Sequence, residues 1–192
     1  MNISFDVWGT LIKSNPDFKK QQAKLANKMY GISEEEFLYR MKNEKSIFNQ
    51  YVEGNGFHIP REFVYQRVFN KFDDEFYEFI SESDDLFVEH PPIPLFEEGS
   101  DIHKLIKGNN SFITSNTVMI YSNVLGEAVQ QYYDGFKSYN MVFSDEHNVS
   151  KPNPLIWLKH IDLIDLHIGD NVITDGACEK IGIKFQHIND YL

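Results

Sequence analysis

An α/β fold is what this sequence predicts: a doubly wound, mainly parallel sheet into which a block of helices is inserted. Three observations lead there. A short apolar run near the amino terminus, Ile3-Ser4-Phe5, has the length and bounds of a buried strand. From Asn15 to the edge of Pro91 the apolar residues recur at helical intervals with almost no strand signal. Beyond Pro91 the pattern changes to strands alternating with helices, which requires crossover connections and therefore parallel strands with helices on both faces. The chain of 192 residues is long enough for one sizeable core, or a core with a modest insertion.

In chain order, Ile3-Ser4-Phe5 ends at Asp6, ahead of the turn-prone Gly9-Thr10. Asn15-Pro16 starts the first helix, a capping side chain followed by Pro in the first turn. Ser33 and Glu36 have capping-box spacing, and Phe37, Leu38, Met41, Phe48, Tyr51 and Val52 follow at helical intervals. Gly54-Asn55-Gly56 breaks that helix. Pro60 opens another that carries Phe63, Val64, Val68, Phe72, Phe76, Phe79 and Ile80, so the block holds three or four helices. Residues 73–85 hold seven acids and no base among apolar residues, the solvated face of an amphipathic helix. Pro91-Pro92-Ile93-Pro94 reads as a linker. A helix at 100–107, strand Phe112-Ile113-Thr114, a helix at 118–133 and strand Met141-Val142-Phe143 follow. A helix at 154–161, strand Leu166-His167-Ile168, a helix at 173–181 and strand Lys184-Phe185-Gln186 complete the pattern. The economical division is a Rossmann-like core of residues 1–13 and 94–192 with a helical insertion of residues 14–93.

Composition narrows the function. Eighteen Lys and Arg stand against 29 Asp and Glu, a net charge of −11, which argues against nucleic acid or an anionic membrane as partner. A small phosphorylated metabolite held by one or two placed cations stays open. The single cysteine, Cys178, excludes an internal disulfide framework and a Cys-rich zinc site, and suits a reducing compartment. No apolar run reaches the roughly 18 residues of a spanning helix, and the first residues enter a strand with no leader-like pattern. A cytoplasmic, soluble protein is the expectation.

In parallel sheets ligands bind at the carboxyl ends of the strands. Those positions hold Asp6, Ser115-Asn116, Ser144-Asp145-Glu146 and Asp170, with Lys151 shortly after the third strand. Acids, a hydroxyl, an amide and a lysine therefore converge on one rim. Clustered carboxylates repel unless a cation lies between them, and hard oxygen donors suit Mg²⁺. A lysine offsets their charge, while hydroxyl and amide donors suit phosphoryl oxygens.

Four segments, in order, resemble the motifs of the haloacid dehalogenase (HAD) superfamily. They are Asp6-Val7-Trp8-Gly9-Thr10-Leu11, the strand end Phe112-Ile113-Thr114-Ser115-Asn116, Lys151-Pro152, and Gly169-Asp170 through Asp175. The resemblance implies a hydrolase with Asp6 as nucleophile, passing through a covalent aspartyl intermediate that water hydrolyses. It implies a metal-binding site for Mg²⁺ at Asp6, the Trp8 backbone carbonyl and Asp170, with Asp175 supporting that site or Lys151. Ser115 and Lys151 join Asp6 and Asp170 as catalytic candidates, Thr10 and Asn116 as substrate contacts. The insertion corresponds in position and character to the family's cap domain.

Trp8 departs from this pattern. Most phosphatases of the superfamily carry a second Asp there, as general acid to the leaving oxygen and base to water, and an indole does neither. Such catalysis contributes about 10²–10⁴ in rate. Haloacid dehalogenases carry an aromatic residue there because halide leaves unprotonated, and Arg40 lies roughly where they have a substrate-contacting arginine. They lack, however, the acidic metal site: Ser and Asn stand where this chain has Asp170 and Val172. The favoured reading is an Mg²⁺-dependent phosphatase of a small phosphorylated metabolite; the alternatives are a dehalogenase-type carbon-centre hydrolase and a non-catalytic binder of a phosphorylated ligand.

Overall fold

The computed structural model describes residues 1–117 and 119–191. Strand β1 (Asn2–Phe5) leads through the short strand β2 (Ile12–Lys13) into four helices: α1 (Pro16–Tyr30), α2 (Glu34–Asn55), α3 (Arg61–Phe69) and α4 (Asp74–Glu89). Strand β3 (Ile93–Pro94) and helix α5 (Asp101–Gly108) follow, then β4 (Asn110–Ser115), α6 (Ser122–Tyr132), β5 (Met141–Phe143) and α7 (Ser144–His147). The chain continues through β6 (Leu166–Gly169) and β7 (Lys184–His187), preceded by the 3₁₀ helices Pro154–His160 and Gly176–Ile181 respectively.

The fold is a mixed α/β structure with a parallel core sheet and added helices. The sheet order is β5-β4-β1-β6-β7, every pair parallel. Side chains alternate across it. Ile3, Phe5, Ile113, Met141, Phe143 and Ile168 join the core on one face, while Phe112 and Val142 pack with Ile156, Trp157 and Cys178 on the other. β1 is the central strand, so Asp6 just after it stands at the middle of the rim.

Helices α1 to α4 have a core of their own. Phe37, Tyr65, Val68, Phe69, Phe76 and Phe79 are buried together, with the Phe69 and Phe79 rings 4.7 Å apart, edge to face. The block meets the sheet domain at both ends. β2 and β3 pair antiparallel, so Ile93-Pro94, expected as plain linker, ties the chain's exit from the block to its entry. At the far end Ser150 N donates to the Gly56 carbonyl at 3.0 Å, and Phe57 pairs with Val149. Arg61 lies over the Tyr121 ring at 3.8 Å.

Several expectations change. The helix expected from Pro60 to Ile80 is two helices: Asn70 takes a left-handed conformation (φ 53°), and Asp73 caps α4 by accepting from Phe76 N at 3.1 Å. The local signals of a C-cap Asn and an N-cap Asp outweigh the continuous apolar periodicity. The segments expected as helices at 154–161 and 173–181 are short 3₁₀ turns. The helix expected from 118 is observed from Ser122; Val118 itself lies outside the described residues. Among the described residues no helix is long and apolar enough to cross a membrane.

Candidate active site

Asp6 is the centre of the rim. Its backbone N–H still belongs to the sheet, donating to the Ile168 carbonyl at 2.9 Å, and the residue is 6% exposed. Ser115, at the end of the neighbouring strand β4, donates its hydroxyl to Asp6 Oδ1 at 2.7 Å. Lys151 Nζ donates to the same oxygen at 2.6 Å. Asp6 Oδ2 accepts no hydrogen bond from the described residues.

Lys151 is only 2% exposed, and it bridges Asp6 to Asp175, whose Oδ1 accepts a second hydrogen bond from the ammonium. Its loop is held by Asn116 in both directions: Lys151 N donates to Asn116 Oδ1 at 2.7 Å, and Asn116 Nδ2 donates to the Lys151 carbonyl at 3.0 Å. Asn116, expected as a substrate contact, spends its amide on positioning the lysine, although it also lines the cleft.

Asp175, 1% exposed, is further held by the Asn171 N–H at 3.0 Å and by His167 Nε2 at 3.3 Å. His167 reaches Ser4 Oγ through Nδ1 at 3.1 Å, and Ser4 donates to Thr114 at 2.9 Å. A buried polar chain thus runs across three strands under the site, satisfying groups that would be costly to bury alone. His167 carries no motif signal; only the pairing of β6 with β1 brings it there.

Two glycines are explained by close approach. A Cβ on Gly9, whose φ is +77°, would lie 2.3 Å from Asp170 Oδ2. A Cβ on Gly169 would lie 2.3 Å from Asp175 Oδ2. The loop after β1 and the turn after β6 can close on these carboxylates only without side chains.

One oxygen from each of Asp6, Asp170 and Asp175 lies within 4.8 Å of the others, so the three could hold a divalent metal. Burial, more than the nearby Asp175 charge, pushes the Asp6 carboxyl above the usual carboxylate range, with Lys151 opposing. Asp170, exposed at the mouth of the cleft, is also raised, by partial desolvation and then by Asp175. Asp175 goes the other way: burial would raise it, but Lys151 and His167 hold it well below the ordinary range. Desolvation opposes the Lys151 charge, yet the Asp175 and Asp6 carboxylates more than offset it and raise the ammonium. Lys151 therefore stays charged between the two carboxylates.

The other candidates lie elsewhere. Thr10 is fully buried, and its hydroxyl has no hydrogen-bond partner among the described residues; it is absent from the cleft lining. Arg40, expected to contact substrate, is engaged away from the cleft lining. Its guanidinium bonds Glu36 at 2.7 Å and the Val68 carbonyl at 3.0 Å. The cleft-facing stripe of α2 is Met41, Lys42, Lys45 and Asn49, and Arg40 falls off it toward α3. Asp145 caps α6 through Ser122 N and binds Thr117, away from the cleft.

The cleft itself, about 880 Å³, lies between the rim and the block, a size suited to a small-molecule ligand. Asp6, Trp8, Lys151 and Asp170 face Phe18, Lys19, Phe37, Met41 and Lys45 across it. The Trp8 ring packs edge to face on Phe87 at 6.4 Å.

The sequence matches no protein-family model and no curated protein. Its structure is similar to that of the HAD hydrolase YfnB from Bacillus subtilis bound to magnesium: TM-score 0.64 and 15% identity, covering 96% of this chain and 86% of that one. The fold is that of the HAD-like hydrolases. A 2-haloacid dehalogenase from Pseudomonas syringae is similar with TM-score 0.58 and 17% identity, over 96% of this chain and 84% of the other. A HAD family enzyme from Bacteroides thetaiotaomicron, in complex with magnesium and inorganic phosphate, has TM-score 0.53 and 18% identity, over 97% and 92%. The HAD-like fold thus includes here the extra helices beyond its core sheet, consistent with a cap insertion.

Proposed function

We propose that this protein is an Mg²⁺-dependent phosphatase of a small phosphorylated metabolite, with Asp6 as nucleophile and residues 14–93 as the cap over its cleft. One juxtaposition carries this reading: one oxygen from each of three carboxylates lies within 4.8 Å of the others, and a single buried lysine pairs with only two of them, Asp6 and Asp175. That arrangement is short of positive charge, and its hard oxygen donors fit Mg²⁺. Asp170, whose carboxylate makes no salt bridge among the described residues, and Asp6 through Oδ2 would hold the ion, with the Trp8 carbonyl as third donor. Asp175 is committed to Lys151 and His167 and acts through the lysine. A bound Mg²⁺ supplies charge neutralisation between the phosphoryl oxygens and Asp6.

The chain's own residues do the rest. Ser115 and Lys151 hold Asp6 Oδ1 and so fix the orientation of the carboxylate. Attack of that carboxylate on phosphorus forms a P–O bond and breaks the ester P–O bond, whose electron pair leaves with the departing oxygen. Water then attacks the aspartyl phosphate, releasing inorganic phosphate and restoring Asp6. Trp8 stands where a proton donor would be needed for a poor leaving group, so the departing oxygen must leave unprotonated.

The test is a comparison of leaving groups. Aryl and acyl phosphates are cleaved with Mg²⁺ at least about 10²-fold faster than alkyl phosphates, the lower end of what a general acid supplies, and EDTA stops the reaction. Asp170→Asn weakens Mg²⁺ binding by calorimetry; unchanged affinity removes the metal from this account. The presence of an aromatic residue at position 8 favours one rival, a dehalogenase, and halide release from a 2-haloacid in EDTA would establish it instead. Phosphate binding without turnover of any ester would establish the non-catalytic reading.

A further inference from the structure

The cap side of the cleft carries a feature that the phosphatase reading does not use. Lys19 of α1 and Lys42 and Lys45 of α2 all line it. Among the described residues none of the three makes a salt bridge, whereas Arg40, Arg61 and Arg67 of the same block are each paired with an acid. Glu53 is the one acid that the block contributes to the described lining. Lys19 and Lys42 are exposed, and Lys45 is the one of the three that is partly withdrawn from solvent.

Lys45 is the most telling. It is half-buried, and burial, then the neighbouring Lys19 charge, pushes its ammonium below the ordinary lysine range. A withdrawn ammonium beside a second cation and without a counter-ion is unfavourable; an anion entering the cleft relieves it. Lys151 cannot be that anion's only partner, because Asp6 and Asp175 already occupy it. Trp8, Phe18, Phe37, Met41 and Phe87 line the same cleft and give it an apolar surface.

We infer that Lys45, with Lys19 and Lys42, forms a second anion site, so that the substrate is a phosphate ester whose apolar body carries another anionic group, a carboxylate or a second phosphoryl. The inference rests on the phosphatase reading for the group at Asp6. These lysines set specificity; they do not touch the reacting atoms.

The experiment is equilibrium binding in Mg²⁺ of three non-hydrolysable ligands: phenylphosphonate, 4-carboxyphenylphosphonate and benzene-1,4-diphosphonate. In the wild type the doubly anionic ligands bind about tenfold tighter than phenylphosphonate, as one charge-assisted hydrogen bond implies. Whichever of them gains more distinguishes carboxylate from phosphoryl as the second group. In Lys45→Met, a near-isosteric change to another good helix former, the ratio falls to near one. Lys19→Met, on a different helix, lowers it in part and guards against a local effect of the first variant. Equal binding of all three ligands in the wild type, or a ratio unchanged by both substitutions, would overturn the second site while leaving the phosphate site intact. Failure of phenylphosphonate itself to bind breaks the phosphatase reading, and the second site, as stated, falls with it.

Discussion

The floor and the wall of the cleft are built on opposite electrostatic plans. On the floor, Asp6, Lys151 and Asp175 are at least nine-tenths buried, one ammonium answers both carboxylates, and Ser115, Asn116 and His167 add hydrogen bonds. On the wall, Lys19, Lys42 and Lys45 have no counter-ions among the described residues. The difference follows from where each set stands. Strand ends locked in a parallel sheet hold side chains in fixed mutual geometry, so a buried lysine there can be paired with carboxylates inside the protein. Helices of a separately packed block present their lysines to the cleft without such partners, and under the proposed second site those charges meet the far end of a ligand.

Four perturbations break or sharpen this contrast, in descending size. Asp6→Asn lowers turnover of an aryl phosphate by about 10⁴–10⁶, the range seen when a nucleophile is removed. The fold persists in circular dichroism, because the amide keeps the shape and one fewer buried acid is left. Substantial residual activity would mean that the floor's centre is not the nucleophile. Trp8→Asp, which returns a proton donor to the floor, raises alkyl phosphate turnover by about 10²–10⁴ while helping aryl substrates less. The melting temperature of this variant is measured alongside, since Phe87 loses its ring contact. A wild type that already cleaves alkyl and aryl esters equally would place the acid on the cap wall instead.

Lys151→Met tests the compensation itself. Removing the one cation between two buried carboxylates costs about 3–5 kcal/mol in urea unfolding, and adding Asp175→Asn recovers part of it. The matching change on the wall, Lys45→Met, leaves stability the same or higher, because a half-buried unpaired charge is removed. Equal losses at both positions would erase the distinction between floor and wall.

The smallest effect is the pH dependence, and its sign differs between the two acids of the floor. Asp175 has a folded value below its unfolded one. Its contribution is present above the ordinary carboxylate range and is lost as pH falls through the depressed folded value. Asp175→Asn is thus less stable than wild type at neutral pH, and the gap closes only in strong acid. Asp6 is raised, so its ionised form works against folding and that burden lifts as pH falls. Stability of Asp6→Asn relative to wild type is therefore highest at neutral pH.

Much of the floor was legible from residues alone. Asp6, Ser115, Lys151 and Asp170 follow strands whose apolar runs and boundaries are strong local signals, and parallel strands put their carboxyl ends on one rim by geometry. Gly9 and Gly169 could be seen as turn residues, though not as the only residues that leave room for Asp170 and Asp175. His167 could not be found, because a histidine inside a strand has no neighbours until the strands are paired.

The wall was not legible. Periodicity says that α2 has faces but not which of them meets the cleft, and a shift of one residue separates Arg40, bonded to Glu36 and Val68, from Met41 on the lining. The break at Asn70 and the pairing of Ile93-Pro94 with Ile12-Lys13 were likewise beyond reach of apolar spacing. What the sequence by itself determined is the parallel sheet, the insertion after its first strand, and the set of polar groups on its rim, because these depend on local pattern and on the fixed alternation of strands. What only the tertiary structure decided is which helix face closes over that rim and which charges find partners there, because those depend on contacts between residues far apart in the chain.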